Sequence, residues 1–404
     1  MAMTLETIVK GGLCHGCGAC ASSLQPGRIT MKLNDSGFLR PMPSGPLTEN
    51  EEHIVQEVCS GAELTHRTYG RSYHPLWGPL VRTRTGFAND SEVRFSGSSG
   101  GVLSALLIYL LDHKLVDFVL HVAADSRDPF GNAVRPSRSR QEVLEAAGSR
   151  YAPSTTLADM EQYLASGATF AVVGKPCDIA SLRRMGQRDS RVLRQVRYMF
   201  SFMCAGVPSR NGTLAVIDEL GARADDVIAF AYRGQGWPGS ARATLRDGSE
   251  RRMSYRNSWG RILSRHLQFR CKICPDGTAE FADIVCGDAW YGKDGYPDFE
   301  ERDGRSLILT RTREGEALLQ AAVDACAITV TGFDVAEIEK IQPYQAHRKQ
   351  VVLARVLALR LLGRPSPRYL GLELLKLSRS AGVRALLQGF LGTMRRVLRA
   401  QAVG

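Results

Sequence analysis

The sequence has no run of about 18–20 unbroken apolar residues, the length a membrane-spanning helix needs. Its opening, Met1 to Lys10, lacks a basic stretch followed by an apolar one, so no secretory leader is expected. It contains no nucleophile elbow, no Walker loop and no zinc-protease helix, and its eight histidines form no triad-like arrangement. Hydrolase and nucleotide-motor chemistries are thereby disfavoured. Internal repeats and low-complexity segments are also missing. The expected setting is the cytoplasm, where closely spaced thiols are more often metal ligands than disulfides. With 404 residues, 44% hydrophobic and 23% charged, the chain suits a globular protein of two or three folding units.

Acidic residues are scarce in one place only. From Ala346 to Gly404 there are twelve Lys or Arg and a single acid, Glu373, so this tail carries the whole formal excess of +11. The body is neutral, which argues against nucleic-acid binding. The tail reads as short basic amphipathic helices, beginning at Val351, Tyr369 and Val383 and broken at Pro365-Ser-Pro367 and Ala381-Gly382. Such helices suggest contact with an anionic membrane surface or an acidic partner, with a helical extension packed on the body as the plain alternative. The expected location is cytoplasmic, peripheral at the inner face of the membrane if the tail binds lipid.

Cysteine is what the sequence has in quantity, ten residues in all. Cys14-His-Gly-Cys17-Gly-Ala-Cys20 matches the first three ligands of a bacterial ferredoxin loop, and Gly16, Gly18 and Ala19 let backbone amides approach cluster sulfurs. Cys59 is the nearby candidate for a fourth ligand. A zinc knuckle joined by His15 or His53 is the alternative, although zinc favours two separated pairs. Cys271-Lys-Ile-Cys274-Pro is a second strong pair. Cys177 and Cys204 each follow an expected strand; read alone they are as well explained as buried core thiols. Cys286 and Cys326 are expected to be small buried residues.

Periodicity places a helix from Val102 after a glycine-serine turn, with helices over Gln141–Ala147, Leu157–Ala165 and Arg313–Ala325. Strands are expected over Val116–Ala123, Thr169–Gly174, Tyr198–Cys204 and Ser306–Thr310, and a hairpin around Asp247-Gly248. Alternating strands and helices imply a mixed α/β core.

Three segments occur in order: Gly174-Lys-Pro-Cys177-Asp-Ile-Ala-Ser-Leu-Arg183, Cys204-Ala-Gly-Val-Pro-Ser209, and Cys271-x-x-Cys274-x-Asp276 followed by Ala282-Asp-Ile-Val-Cys-Gly-Asp288. Over roughly residues 95 to 345 the chain resembles the coenzyme F420 hydrogenase/dehydrogenase beta-subunit family, which includes 7-hydroxymethyl chlorophyll a reductases and a class of divinyl chlorophyllide 8-vinyl reductases. The resemblance implies FAD, a 4Fe-4S cluster held by Cys177, Cys204, Cys271 and Cys274, and in many members a second cluster in the N-terminal piece. It also implies electron passage between iron-sulfur centres and flavin, and on to a deazaflavin or a tetrapyrrole. The distant Cys59 departs from the chlorophyll-reducing members, whose fourth N-terminal cysteine lies closer.

The expected flavin contacts follow. Ser98, Ser99, Gly100 and Gly101 open a helix, where free amides suit phosphate; the alternative is a plain turn with Ser98 or Ser99 as helix cap. Arg150 is a candidate phosphate partner, Tyr151 a candidate stacking ring, and Lys175 a cation beside a cluster or flavin, or else a solvated lysine. Gly234-Gln-Gly236-Trp-Pro-Gly239 matches a dinucleotide fingerprint literally, but Pro238 and the strand pattern that follows make it a loop. Asp276, Asp283 and Asp288 are candidates for substrate binding or loop orientation.

The expectation is an α/β flavoprotein core with a small ferredoxin-like N-terminal module and a basic helical tail. Its units are 1–70, 71–170 (flavin-binding part), 171–345 (second 4Fe-4S site) and 346–404. The expected activity is that of an iron-sulfur flavoprotein oxidoreductase with FAD and two 4Fe-4S clusters, acting on a deazaflavin, a tetrapyrrole or a polysaccharide-pathway intermediate. Ferredoxin or a partner subunit would exchange electrons with it. A non-catalytic electron-transfer subunit and a zinc-stabilised binding protein are the alternatives.

Overall fold

The computed structural model describes residues 3–66, 72–293 and 296–402. The expected boundary between residues 70 and 71 lies outside them. At the centre is an eight-stranded mixed sheet in the order Ile328–Gly332, Arg82–Ala88, Ser306–Thr310, Ile284–Asp288, Val196–Phe202, Phe170–Val173, Phe118–Ala124, Asn132–Ser137. The four strands from Ile284–Asp288 to Phe118–Ala124 are mutually parallel, and antiparallel strands flank them on both sides.

The parallel strands are largely apolar because both faces are covered. Phe118, Leu120, Phe170, Val172 and Met199 point to one face, packed against Ile179 and Leu182 of the helix Pro176–Arg188. Val119, Ala171, Val173 and Phe200 point to the other, against the helices Val102–Asp112 and Arg313–Asp324. Alternate residues thus feed two cores, as a period of two requires.

The expected helices and strands are present with ends shifted by a few residues, including the hairpin Ser240–Leu245/Glu250–Ser254 with Gly248 at φ +84°. It joins Val227–Ala231 in a separate three-stranded sheet that packs on the helix Arg210–Glu219.

The tail begins inside a helix, Pro343–Leu361, whose first residues precede position 346. Its middle departs from the expected helix at Tyr369. Arg368–Leu370 is a strand paired in parallel with Glu63–Thr65, and the helix starts only at Leu374, after Gly371 and Glu373 at φ +70° and +53°. Backbone pairing with the N-terminal unit satisfies the groups a helix would have bonded internally. The last helix, Val383–Ala402, lies on the first, and Leu359 and Val397 share one core with Leu5, Ile8, Leu13 and Val55. The two ends of the chain therefore form one packed unit. Among the described residues no helix is long and apolar enough to cross a membrane.

Candidate functional site

The loop Cys14–Cys20 is shaped by two left-handed glycines, Gly16 at φ +82° and Gly18 at φ +86°. A Cβ on Gly18 would lie 2.7 Å from Ala158, so glycine is required by space as well as by angle. The Ala19 amide donates to Cys17 Sγ at 3.4 Å. Cys59 arrives from elsewhere, at the C-terminus of the helix Glu49–Val58, whose start is fixed by a Thr48–Glu51 capping box. The four thiols converge closely enough to disfavour one another's ionisation. Burial pushes Cys14 up to about 11, with Arg40 opposing and Cys59 adding, and it raises Cys17, Cys20 and Cys59 as well.

Cys177 stands in the first turn of the helix Pro176–Arg188, Cys204 just after the strand Val196–Phe202, and Cys271 and Cys274 on and after the short helix Phe269–Lys272. These also converge: burial raises Cys204 to about 12, with Cys271 and Cys274 adding to the rise, and Cys177 is raised by burial first and by Cys204 and Cys274 among its neighbours. Val207 N–H donates to Cys271 Sγ at 3.3 Å.

Two observations bear on what such thiols would hold. Among the described residues no three sulfurs of either set lie within 4.8 Å of one another. Tetrahedral zinc, with Zn–S near 2.3 Å, draws its sulfurs to about 3.8 Å. Neither set is drawn to that spacing. Secondly, Arg270 and Arg348 are buried at 2% and 3% exposure without a carboxylate partner among the described residues. Arg270 leaves Nε and Nη1 unbonded and faces Cys274, Cys177 and Cys271; Arg348 faces Cys274, Cys204 and Cys271. Buried unpaired cations are costly, and an anionic thiolate-bound centre supplies the charge they lack. The residues therefore fit an iron-sulfur cluster at the second set. His53 faces solvent, paired with Glu57 at 3.3 Å, and so is not near the first set.

The two sets adjoin. Ser60 Oγ donates to Cys177 O at 2.8 Å, Ser181 Oγ contacts both Ser60 Oγ (2.9 Å) and Cys17 Sγ (3.7 Å), and His15 Nε2 meets Ser60 Oγ at 2.8 Å. His15, Cys177 and Asp178 bring one ligand-type atom each within 4.8 Å.

A cavity of about 1130 Å³ runs from Cys204 to the turn before the helix Val102–Asp112. Ser98, Ser99, Gly101, Arg150, Tyr151 and Lys175 all line it; Gly100 is packed behind, its amide donating to Ser306 Oγ at 2.9 Å. Neither serine caps the helix. Its N-cap is Gly101 at φ +72°, with no side-chain cap, so the first-turn amides are free and Ser98 Oγ is buried without a partner. That cradle fits a phosphate group. Arg150 donates from Nε, Nη1 and Nη2 to Asn132 Oδ1, Phe230 O and Gly131 O and so braces the wall, with one N–H left on each Nη. Tyr151 packs on Trp259 at 4.6 Å. Lys175 is buried, not solvated, with Nζ 2.8 Å from Asp178 and 2.6 Å from Ser154 Oγ. Burial pulls its pKa down, but Asp178 and Cys177 outweigh that and hold it above the usual range.

The glycine-rich segment is a loop, as expected, with Gly234, Gly236 and Gly239 all at positive φ. It seats Trp237 against Trp290 at 4.9 Å and brings Trp237 Nε1 to Asp288 Oδ1 at 2.7 Å. Asp288 also pairs with Arg233 at 2.9 Å. Asp283 holds Arg183 and the Met199 amide, and Asp276 accepts from the Glu280 amide. Sequence reasoning missed Arg233, Arg270, Arg348 and Ser181, which no spacing marks. Cys286 is buried as expected, whereas Cys326 is exposed, at φ +58° after the helix Arg313–Asp324, where no core lies above it.

Two family models match the chain, both for the beta subunit of coenzyme F420 hydrogenase/dehydrogenase. The model of its N-terminal part matches residues 83–160, and the model of its C-terminal part matches residues 167–335. Coenzyme F420 hydrogenase subunit beta of Methanococcus voltae is 30% identical over 292 residues, covering 67% of this chain and 94% of that one. The chain belongs to the coenzyme F420 hydrogenase/dehydrogenase beta-subunit family. Another relative is the coenzyme F420-dependent sulfite reductase of Methanocaldococcus jannaschii, 24% identical, covering 85% of this chain and 50% of that protein. In the solved F420-reducing [NiFe] hydrogenase complex of Methanosarcina barkeri, one chain shares the fold at TM-score 0.58 and 18% identity, covering 74% of this chain and 98% of that one. The mixed sheet is thus a beta-subunit family sheet, and a role as a redox subunit is supported by these relatives.

Proposed function

We propose that the chain is an iron-sulfur flavoprotein oxidoreductase subunit, passing electrons between two 4Fe-4S clusters and FAD to reduce or oxidise a deazaflavin such as coenzyme F420. The observation that carries this is the adjacency of two cysteine tetrads, with a cavity of about 1130 Å³ reaching the second. The relatives' names, F420-dependent hydrogenase, formate dehydrogenase and sulfite reductase, favour a deazaflavin over a tetrapyrrole or a polysaccharide intermediate.

Cys14, Cys17, Cys20 and Cys59 would hold one cluster, and Cys177, Cys204, Cys271 and Cys274 the other. When bound, the clusters supply one-electron transfer and the flavin couples it to two-electron chemistry. The chain's own residues set the environment. Gly101, Ser98 and the first-turn amides receive the flavin's phosphate. Lys175, held charged by Asp178, places a cation on the wall between the tetrad and the cavity, which favours a reduced anion there. Tyr151, Tyr255 and Trp290 form an aromatic side, ordered by the Arg233–Asp288 pair. Several relatives are named as subunits, which favours a partner subunit; it or a ferredoxin would exchange electrons at the N-terminal module.

The test is purification of the full chain without oxygen, with iron, sulfide and flavin quantified. Eight iron atoms and one FAD per chain are expected under this reading. Cys271→Ser with Cys274→Ser should halve the iron. Protein of confirmed mass holding neither iron nor flavin would overturn it.

A further inference from the structure

The last helix, Val383–Ala402, uses one side to pack and leaves another uncovered. Gly389, Thr393 and Val397 face the helix Pro343–Leu361, where a Cβ on Gly389 would lie 3.5 Å from Val351. About a third of a turn away, at helical spacing, Val383, Leu387, Leu391 and Leu398 are exposed at 74%, 53%, 48% and 49%. Beside this apolar row run Arg384, Arg395 and Arg399, also exposed. Lys376 and Arg379 stand on the preceding short helix with Leu375, itself 62% exposed. Among the described residues none of these five cations pairs with a carboxylate, and Glu373 is the sole acid from Ala346 onward.

We propose that this face of the tail docks on an anionic membrane leaflet. Leucines beside unpaired arginines on a helix of modest overall hydrophobicity are the composition of an interfacial helix, apolar side in the acyl boundary and cations at the headgroups. Nothing in the described tail is long and apolar enough to span a bilayer, so the contact is at the surface. A second cavity favours lipid over an acidic protein. It has a volume of about 460 Å³, lies in the same tail, and is walled by Leu353, Val356, Leu372 and Leu374, with the exposed Arg360, Lys376 and Glu373 also lining it. A slot with apolar walls, lined by two cations against one carboxylate, accommodates an acyl chain with an anionic headgroup; a polyacidic peptide would leave the slot empty. The docking would bring the N-terminal cysteine unit close to the membrane, because Leu359 and Val397 share its core.

The experiment uses the full chain, purified without oxygen, and flotation with two vesicle preparations, pure phosphatidylcholine and phosphatidylcholine containing one third phosphatidylglycerol. At low salt the chain is expected to float with the anionic vesicles only, and to be released at high salt. Arg384→Ala with Arg395→Ala and Arg399→Ala should weaken partitioning on the order of a hundredfold, at roughly fivefold per cation removed. Leu387→Ser with Leu391→Ser should also abolish flotation while circular dichroism and elution volume stay unchanged, since all five side chains are exposed. A wild-type chain that stays unbound with anionic vesicles at low salt overturns the proposal. So does binding to both vesicles alike, or capture on immobilised polyglutamate without flotation, which would assign the face to an acidic protein.

Discussion

Ser181 Oγ donates to Ser60 Oγ across 2.9 Å, joining the helix that carries Cys177 to the residue that follows Cys59. Ser181 Oγ in turn accepts from the Ser60 amide at 3.2 Å, and all of these groups are buried. The two cysteine sets are therefore held by one small polar network rather than by apolar packing alone. Ser181→Ala leaves the Ser60 amide and hydroxyl without this partner and should cost about 1–3 kcal/mol. The thermal midpoint of the anaerobic protein should fall while iron content stays unchanged, since no ligand is lost. An unaltered midpoint would show that the bridge does not hold the two units together.

Arg270 and Arg348 make a sharper prediction about the second set. A buried cation near a cluster stabilises its more negative, reduced form. Arg270→Met and Arg348→Met should each shift the second cluster's midpoint potential to more negative values. The first cluster should move less with Arg348→Met, since Arg270 also bonds Ser60 O at 3.1 Å beside that cluster and Arg348 does not. A redox titration followed by electron paramagnetic resonance reads both.

The proposed ligands are legible in the sequence to different degrees because they come from different levels of structure. Cys14, Cys17 and Cys20 lie within one loop, so local spacing reveals them. Cys177 and Cys204 become neighbours of Cys271 and Cys274 only because the strands Phe170–Val173, Val196–Phe202 and Ile284–Asp288 are adjacent in the sheet; no local pattern encodes that adjacency. The central strands are visible as apolar runs. Arg368–Leu370 is not, since a three-residue strand is defined by its partner Glu63–Thr65, some three hundred positions away. By residue type Arg150 reads as a phosphate ligand, and only the fold shows three backbone and side-chain acceptors already around it.

Lys349 links the tail to the body. Its ammonium is 2% exposed and lies against the Glu280 carboxylate, which also accepts from Tyr73 OH at 2.8 Å. Lys349→Met should destabilise by about 3–5 kcal/mol, because Glu280 is left buried and uncompensated. The double change Glu280→Gln with Lys349→Met should recover much of that loss. Chemical denaturation of the three proteins checks both statements; equal losses in the single and double variants would mean that packing, not charge, sets the cost.

Ser98 and Arg150 separate ligand binding from wall support. Ser98 Oγ is a buried orphan in the cavity, so Ser98→Ala should remove one hydrogen bond to a bound flavin and weaken binding about two- to tenfold. Arg150→Lys should instead lower the unfolding midpoint and leave flavin affinity within about twofold, because its contacts are to Asn132, Phe230 and Gly131. Fluorescence titration of the flavin-stripped protein with FAD distinguishes the two.

His121 provides the pH dependence. It lies on the strand Phe118–Ala124, next to the sheet's edge strand, 6% exposed, with Nε2 2.7 Å from Ser137 Oγ. Burial lowers its pKa to about 4, and Arg135 reinforces the effect. In the unfolded chain the ring titrates near 6.5. Between these values the unfolded state binds the extra proton, so stability falls as pH drops from about 6.5 toward 4 and is unaffected by this residue above that window. The loss should amount to a few kcal/mol at most. His121→Gln keeps a donor for Ser137 and cannot take up the proton, so its stability should decline less over the same range. Wild-type and variant curves measured at pH 7.5 and pH 5 give the result. A constant gap between them at both pH values would show that His121 is not the group responsible.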